Sequence, residues 1–261
     1  MEPGLLETLF ALGLLGGFVS GLVGLGGGII MVPLLLYVPP ALSVGVLSMK
    51  VIAGITSVQS FCGAMFGAIG HKKHNRISFP LTVAMGGSMA VGALAGSVAS
   101  AFLTADAILL VFALMAIAAA VMMLIPKREE ALERPVAAVV FSRPLAVLIG
   151  LGIGVLAGII GQGGAFLFIP AMMFFLRIPT RITIGTALAI GIISSTSVLL
   201  GRVGTHQIPY LMSLVVVLGV LVGAQLGSAL SQRTPRGLLR GILSVLIAST
   251  AVKIWYELLF G

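Results

Sequence analysis

The amino-acid sequence predicts an all-α, polytopic membrane protein made of two homologous halves. Of its 261 residues, 59% are hydrophobic and 8% are charged, whereas soluble domains average about 25% charged residues. The apolar stretches are long, as spanning helices require, and they lack the alternation typical of membrane-barrel strands. A motif of glycines and a proline also occurs twice, with an offset of 137 residues. These observations argue against a soluble domain and indicate an internal duplication.

About eight hydrophobic stretches can be assigned along the chain, and a spanning helix needs about 20 residues. In order, they cover residues 5–37, 43–70, 77–103, 105–125, 144–176, 182–204, 208–231 and 237–260. The first and the fifth are longer than thirty residues, and each has a glycine cluster in its middle. We expect each of these two to fold as a broken or re-entrant segment, which gives up to ten helical elements.

The internal repeat is the strongest signal in the sequence. The segment GLVGLGGGIIMVP at residues 21–33 returns as GIIGQGGAFLFIP at residues 158–170, and GALAGS at Gly92 returns as GAQLGS at Gly223. The charge-dense segment PKREEALERP separates the two halves. The chain is therefore divided into a first transmembrane repeat, a charged cytoplasmic linker and a second transmembrane repeat, at residues 1–125, 126–142 and 143–261.

The paired glycine clusters predict helices that are broken at bilayer depth. Glycine lets a helix unwind, and the freed backbone groups are tolerated only where they face protein or a wet cavity. The helices beyond the breaks should begin near Gly28 and Ala165, where their N-termini would present backbone donors and a positive dipole end to an anion. Pro33 and Pro170 would bend these helices. The alternative, that glycines only permit close helix packing, is favoured for GALAG and GAQLG.

The positive charge fits cytoplasmic loops of a membrane protein better than binding of nucleic acid, which we do not expect as a partner. The formal net charge is +8. If all eight stretches are single spans, nine loop cations lie on one side of the membrane and five lie on the other. If the two long stretches fold back, twelve loop cations lie on one side of the membrane, and only Arg202 and Lys253 lie on the other. The positive-inside rule favours the second arrangement, which gives each half five elements and makes the halves inverted repeats in the inner, cytoplasmic membrane.

The paired GxxGxGGxxxxxP segments resemble those of the sulfite exporter TauE/SafE family, also called the toluene sulfonate uptake permease family. IGTAL at Ile184 is similar to the GTS-type segment of that family, and VLSMK at Val46 is its first-half counterpart, although it lacks the glycine and carries Lys50. GAMFGAIGHKKHNRI at residues 63–77 resembles the stretch that leads from the second helix into a basic loop. The resemblance covers nearly the whole chain. It implies a secondary transporter of small sulfur-containing anions such as sulfite, sulfonates or sulfoacetate.

The candidate substrate-binding residues lie in or near the glycine clusters. Gln162 stands where the first half has Leu25, so its amide either donates to a substrate oxygen or caps the broken backbone. Ser48 and Thr186 match across the repeat, and their hydroxyls bind substrate or their own backbone. Lys50 either serves the substrate or extends its side chain to the interface. The predicted substrate-binding set is Gly26, Gly27, Ser48, Lys50, Gln162, Gly163, Gly164 and Thr186.

Other functional classes find less support in the sequence. No H-E-x-x-H or G-x-S-x-G motif occurs, and Asp106 is the only aspartate, so a membrane-embedded enzyme is disfavoured. Cys62 is the only cysteine, and neither a metal site nor a cofactor is expected. A carrier or channel for another small anion, or a non-transporting membrane partner, stays open as an alternative. The expected partners are a small anionic substrate and the lipid bilayer, and the sequence leaves open whether the chain forms a homo-oligomer.

Overall fold

The computed structural model describes residues 3–23, 28–70, 77–124 and 141–231, and all regular secondary structure in these ranges is helical. Five helical stretches are long and apolar enough to cross a membrane, and these are Phe79–Phe102, Ala105–Met122, Arg143–Ile160, Gly185–Gly204 and Tyr210–Gly227. The predicted stretch at 237–260 and most of the predicted linker lie outside the described residues. The prediction of a helical, multi-pass membrane protein is therefore confirmed for the part of the chain that is described.

The helices follow the apolar stretches closely. In chain order they are α1 (Pro3–Val23), α2 (Gly28–Ala41), α3 (Met49–Gly70), α4 (Phe79–Leu81), α5 (Gly87–Ala99), α6 (Ala105–Leu124), α7 (Arg143–Ile160), α8 (Ala165–Phe174), α9 (Thr180–Gly204) and α10 (Tyr210–Ser231). A π-helical turn, Thr82–Gly86, joins α4 to α5, and a 3-10 turn, Ser100–Phe102, follows α5.

The fifth apolar stretch, residues 144–176, forms two helices, as its glycine cluster predicts. Helix α7 ends at Ile160 and α8 begins at Ala165. In the first half, α1 and α2 lie on either side of residues 24–27, which are outside the described part, and α2 begins at Gly28. Helix α8 thus begins where the glycine cluster predicts a helix start, the described part of α2 begins at Gly28, and Pro33 and Pro170 lie inside these two helices.

Two helix pairs pack in parallel through glycines. A Cβ atom added at Gly13 would overlap the backbone of Val216, and one added at Gly17 would overlap the backbone of Val220. Because residue numbers rise in the same direction along both helices, α1 and α10 run parallel. Without a side chain between them, the two backbones approach closely, which is how small residues hold membrane helices together. Glycines of α10 make the reciprocal approach to α1, among them Gly223 of GAQLG.

Helices α5 and α7 form the second pair in the same way. A Cβ at Gly92 or Gly96 would overlap backbone atoms of Leu151 or Val155, so these helices also run in parallel. The interpretation of GALAG as a packing segment is therefore confirmed. Under the repeat, α7 corresponds to α1 and α5 to α10. The first helix of each predicted repeat therefore packs against the corresponding later helix of the other predicted repeat.

Helices α3 and α9, which correspond under the repeat, contact each other between these pairs. GITSVQS at Gly54–Ser60 matches GIISSTS at Gly191–Ser197 with the same offset of 137 as the glycine clusters. Both segments bury polar side chains, and these are Thr56, Ser57, Gln59, Ser194 and Ser195. We call these two segments, which belong to contacting helices, the polar layer between α3 and α9.

Candidate functional site

The break between α7 and α8 is built by two glycines in the left-handed region. Gly161 has φ of +83° and Gly164 has φ of +71°, values that side-chain-bearing residues rarely adopt. At the end of α7, the N–H groups of Gly161 and Gln162 both donate to the carbonyl of Ala157 at 3.0 Å, which closes the helix in the manner of a glycine C-cap. The carbonyl of Gly164 then accepts from Leu167 and starts α8.

All four residues of the break, 161–164, are buried among helices of both halves. A Cβ added at Gly161 would overlap the backbone of Ala53 in α3, while one added at Gly163 would lie 3.4 Å from Cβ of Ser195 in α9. One added at Gly164 would lie 2.8 Å from the Cε atom of Met89 in α5. The interrupted backbone is therefore enclosed by protein, as an interruption within a bilayer requires.

The start of α8 gives this enclosed segment a positive electrostatic character. The first N–H groups of any helix have no partner within the helix, and the aligned peptide dipoles leave a partial positive charge there. Such an end favours anions. Because α8 begins at Ala165, directly after Gly164, its free N–H groups belong to the same segment as the buried amide of Gln162, which is 1% exposed.

Three of the four residues predicted in the second half lie together in the break, whereas Thr186 and the predicted residues of the first half lie elsewhere or are not described. Gln162, Gly163 and Gly164 share the buried break. Gly26 and Gly27 lie outside the described residues, so the first-half break stays a prediction.

Ser48 and Lys50 lie at an exposed end of α3. The Oγ atom of Ser48 accepts from the N–H of Val51 at 3.4 Å, and Nζ of Lys50 donates to the carbonyl of Ala101 at 3.3 Å. Helix α3 begins at Met49, so Lys50 is its second residue and not a charge at bilayer depth. This arrangement matches the alternative in which Lys50 reaches the interface, and it separates both residues from the buried surroundings of Gln162.

Thr186 is fully buried and supports the start of α4. Its Oγ1 atom accepts a hydrogen bond of 3.1 Å from the N–H of Ser78, which is itself buried. Because Ser78 directly precedes α4, the hydroxyl satisfies one of the donors that a helix start leaves open. The hydrogen bond of Thr186 therefore stabilises the fold at the start of α4.

We expect Thr186→Val to lower the free energy of unfolding by about 1–3 kcal/mol, because valine leaves the buried N–H of Ser78 without its acceptor. The free energy can be measured by titrating detergent-purified protein with sodium dodecyl sulfate. Thr186→Ser keeps an acceptor oxygen and is the matched control, for which a clearly smaller loss is expected. Equal losses in the two variants would mean that this hydrogen bond does not contribute to stability.

Arg202 is the main functional candidate that the sequence reasoning missed. It was counted among the loop cations, and that assignment is wrong, because Arg202 lies in α9 and its side chain is 0% exposed. The signal available in the sequence was a cation within the apolar stretch 182–204, since charges inside apolar spans are rare and usually functional. The corresponding helix α3 has no charged residue after Lys50.

The guanidinium of Arg202 binds the end of α7. Its Nη2 atom donates to the carbonyls of Gly158 and Ile159 at 3.2 and 2.7 Å, and Nη1 donates to Oε1 of Gln207 at 2.9 Å. The same Oε1 accepts from Ser100 at 2.9 Å. This network joins the ends of α5, α7 and α9 beside the break. Arginine suits the position because the last carbonyls of a helix carry the negative end of its dipole.

Two polar atoms of the layer between α3 and α9 have no hydrogen-bond partner among the described residues. They are Oε1 of Gln59 and Oγ of Ser194, whose side chains are 2% and 0% exposed. Buried polar groups are normally satisfied, and a water molecule or a polar ligand would satisfy these two atoms. Ser195, next to Ser194, is the residue that approaches Gly163, so this layer adjoins the break.

Comparison with known proteins decides the family. A family model described as sulfite exporter TauE/SafE matches residues 9–254. The chain belongs to this family. The resemblance inferred from the paired glycine segments is thereby confirmed, and the protein is a membrane transporter of the TauE/SafE family.

Curated relatives cover this TauE/SafE chain almost completely. The probable membrane transporter protein YunE of Bacillus subtilis (strain 168) is 21% identical over 97% of this chain and 98% of its own length. YdhB from the same organism, also described as a probable membrane transporter protein, is 26% identical over 90% of this chain and 93% of its own. A probable membrane transporter protein of Xylella fastidiosa (strain Temecula1) is 27% identical over 91% and 90%. No protein of solved structure gives a significant match.

Proposed function

We propose that the protein is a secondary transporter of small sulfur-containing anions, such as sulfite, sulfonates or sulfoacetate, across the cytoplasmic membrane. The observation that carries this proposal is the buried break at 161–164, where the N-terminus of α8 and the amide of Gln162 lie in one enclosed segment. Anions suit such a site because its donors are backbone and amide N–H groups beside a positive helix end. The name of the matching family favours sulfite and related anions among the candidates.

The proposal includes two halves that are inverted in the membrane. The hydrogen bond from Lys50 to Ala101 supports a start of α3 beside the end of α5. The close approach of Gly54 to the carbonyl of Gln207 supports a start of α10 beside the same start of α3. Helix α10 would therefore start where α5 ends, so these two helices would run in opposite directions. Since α1 runs parallel to α10 and α7 runs parallel to α5, the corresponding helices α1 and α7 would run in opposite directions. Transporters built this way alternate access around a site near the midplane.

The charge distribution also supports the inverted arrangement. Because Arg202 is buried, it no longer counts as a loop cation. In the folded-back arrangement, twelve loop cations then lie on one side of the membrane and Lys253 alone lies on the other. The bias towards one side becomes stronger than the sequence suggested, and the positive-inside rule assigns that side to the cytoplasm.

Uptake into liposomes tests the function, and Gln162→Leu tests the site. Protein reconstituted in liposomes should take up labelled sulfite or sulfoacetate in a saturable manner and should discriminate against succinate. Leucine is the residue of the first repeat at this position and has a similar volume, but it removes the amide donor. A hydrogen bond to a charged group contributes about 1.5–3 kcal/mol, so we expect roughly a 10- to 100-fold loss of apparent affinity.

The matched control is Gln225→Leu, which makes the same replacement on the exposed surface of α10 and should leave uptake unchanged. Uptake of succinate in preference to every sulfur anion would favour the alternative, a carrier of another small anion. If both variants transport like the unmodified protein, the break is not the substrate site.

A further inference from the structure

Arg202 is a buried charge without a buried counter-charge. Within the described residues it is the only charged side chain among the buried ones, and the carboxylates described there, Glu7 and Asp106, are exposed. Burying a cation is costly, and arginines inside membrane proteins normally pair with carboxylates or with backbone carbonyls. Here the partners are two backbone carbonyls and an amide oxygen, all of them neutral.

These neutral partners leave part of the guanidinium unsatisfied. The Nε atom of Arg202 is buried and has no hydrogen-bond partner among the described residues. The dipole at the end of α7 offsets part of the positive charge but cannot remove it, because a helix end carries only about half an elementary charge. A donor and a net positive charge therefore remain available inside the protein.

The position of this charge connects it to the break. Its carbonyl partners, Gly158 and Ile159, lie three and two residues before Gly161, the first residue of the break. The N-terminus of α8 lies at the other end of the same four residues. Along the chain, the carbonyls that bind a formal positive charge thus come shortly before the break, and the positive end of the α8 dipole comes directly after it. An anion between this charge and this dipole end would satisfy both, whereas a cation or a neutral molecule would not.

We propose that Arg202 is the specificity-determining residue that restricts this transporter to anions, with its Nε–H donating to an oxygen of the bound anion. This inference rests on the proposed function, because it assigns a charge to the site in the break. A guanidinium is well suited to the role, since it stays charged when buried and its planar N–H groups match the oxygens of an oxyanion.

Gln207→Glu is the sharpest test, because it adds a counter-charge without removing Arg202. The carboxylate would keep an acceptor for Nη1, which lies 2.9 Å from the amide oxygen of Gln207, and would neutralise the positive charge, while the bond that Nε2 of Gln207 donates to the carbonyl of Ser97 at 3.1 Å is lost. Arg202→Lys is the second variant, which keeps the charge but loses the planar donor set. Arg143→Gln is the control, since it removes an arginine charge from the exposed start of α7.

The readout is the melting temperature of purified protein with sulfite, thiosulfate, sulfate or chloride, together with uptake of the same anions into liposomes. A ligand that binds only the folded state raises the melting temperature, and the increase grows with the logarithm of the ratio of ligand concentration to Kd once that ratio is large. We expect at least one anion to stabilise the unmodified protein and Arg143→Gln equally. Its apparent affinity should fall at least tenfold in Arg202→Lys, and its effect should disappear in Gln207→Glu.

The outcomes separate the two proposals. An anion response that is unchanged in both Gln207→Glu and Arg202→Lys would overturn the role of Arg202, and so would anion uptake that neither variant alters. A response that Gln207→Glu abolishes, in a protein whose liposomes take up none of the anions, would support Arg202 as an anion-binding residue and contradict transport. Absence of both response and uptake in the unmodified protein would overturn both proposals.

Discussion

Gly161→Ala is expected to lower the free energy of unfolding by about 2–5 kcal/mol and to leave little folded protein after purification. Two costs add. The left-handed conformation, with φ of +83°, costs a residue with a side chain about 1–2 kcal/mol. The new methyl group would also overlap the backbone of Ala53, and overpacking costs about 1–3 kcal/mol because α3 would have to move. Titration with sodium dodecyl sulfate measures the loss.

Gly152→Ala is the matched control for this prediction. Gly152 lies in the same helix, α7, and a Cβ atom there would meet nothing within 4 Å. Alanine is a better helix former than glycine by about 1 kcal/mol, so Gly152→Ala should be neutral or stabilising. A Gly161→Ala protein as stable as the Gly152→Ala protein would show that the break does not require a left-handed residue next to α3.

Gly96→Ala is expected to have the second largest effect, because it separates α5 from α7. The added methyl group would overlap the backbone carbonyl of Val155, and a backbone atom cannot turn aside as a side chain can. Separating the helices also removes close contacts that hold a membrane helix pair together. We expect Gly96→Ala to lower the free energy of unfolding by about 1–3 kcal/mol from overpacking alone, measured in the same titration.

Gly87→Ala, in the same helix, serves as the control for Gly96→Ala. Gly87 is exposed, and a Cβ atom added there would meet nothing within 4 Å. The two variants make the same chemical change to α5, so a difference in stability reports on the contact with α7 alone. Equal stability would mean that the close approach at Gly96 contributes nothing to the fold.

The broken helix could be predicted from the sequence because its cause is local. Glycine permits positive φ at Gly161 and Gly164 whatever surrounds them, and the apolar residues that follow resume a helix at once. The start of α8 at Ala165, near which a helix start was predicted, therefore follows from the local sequence. The close packing of GALAG was predictable for a similar reason, since a four-residue spacing puts both glycines on one helix face.

The environment of individual side chains could not be predicted, because it depends on distant parts of the chain. Arg202 lies near the end of an apolar stretch, where a cation ordinarily reaches the interface, and its burial results from the carbonyls of Gly158 and Ile159. Ser48 and Thr186 are 138 positions apart, whereas the segments on both sides of them repeat with an offset of 137, and the structure places Ser48 at the exposed start of α3 and Thr186 in contact with Ser78, 108 residues away. A repeat equates positions in sequence, but it does not equate their neighbours.

The exchange of helices between the halves bears on how the protein is made. Helix α1 packs against α10 through Gly13 and Val216, which are 203 positions apart in the chain. During synthesis, α1 enters the membrane long before its partner has been translated, and its glycine-lined face must meanwhile contact lipid or another protein. Neither half contains the partner of its own first helix. The fold is therefore completed only when the second half has been inserted, and quality control in the cell has to tolerate an unpaired α1 for most of translation.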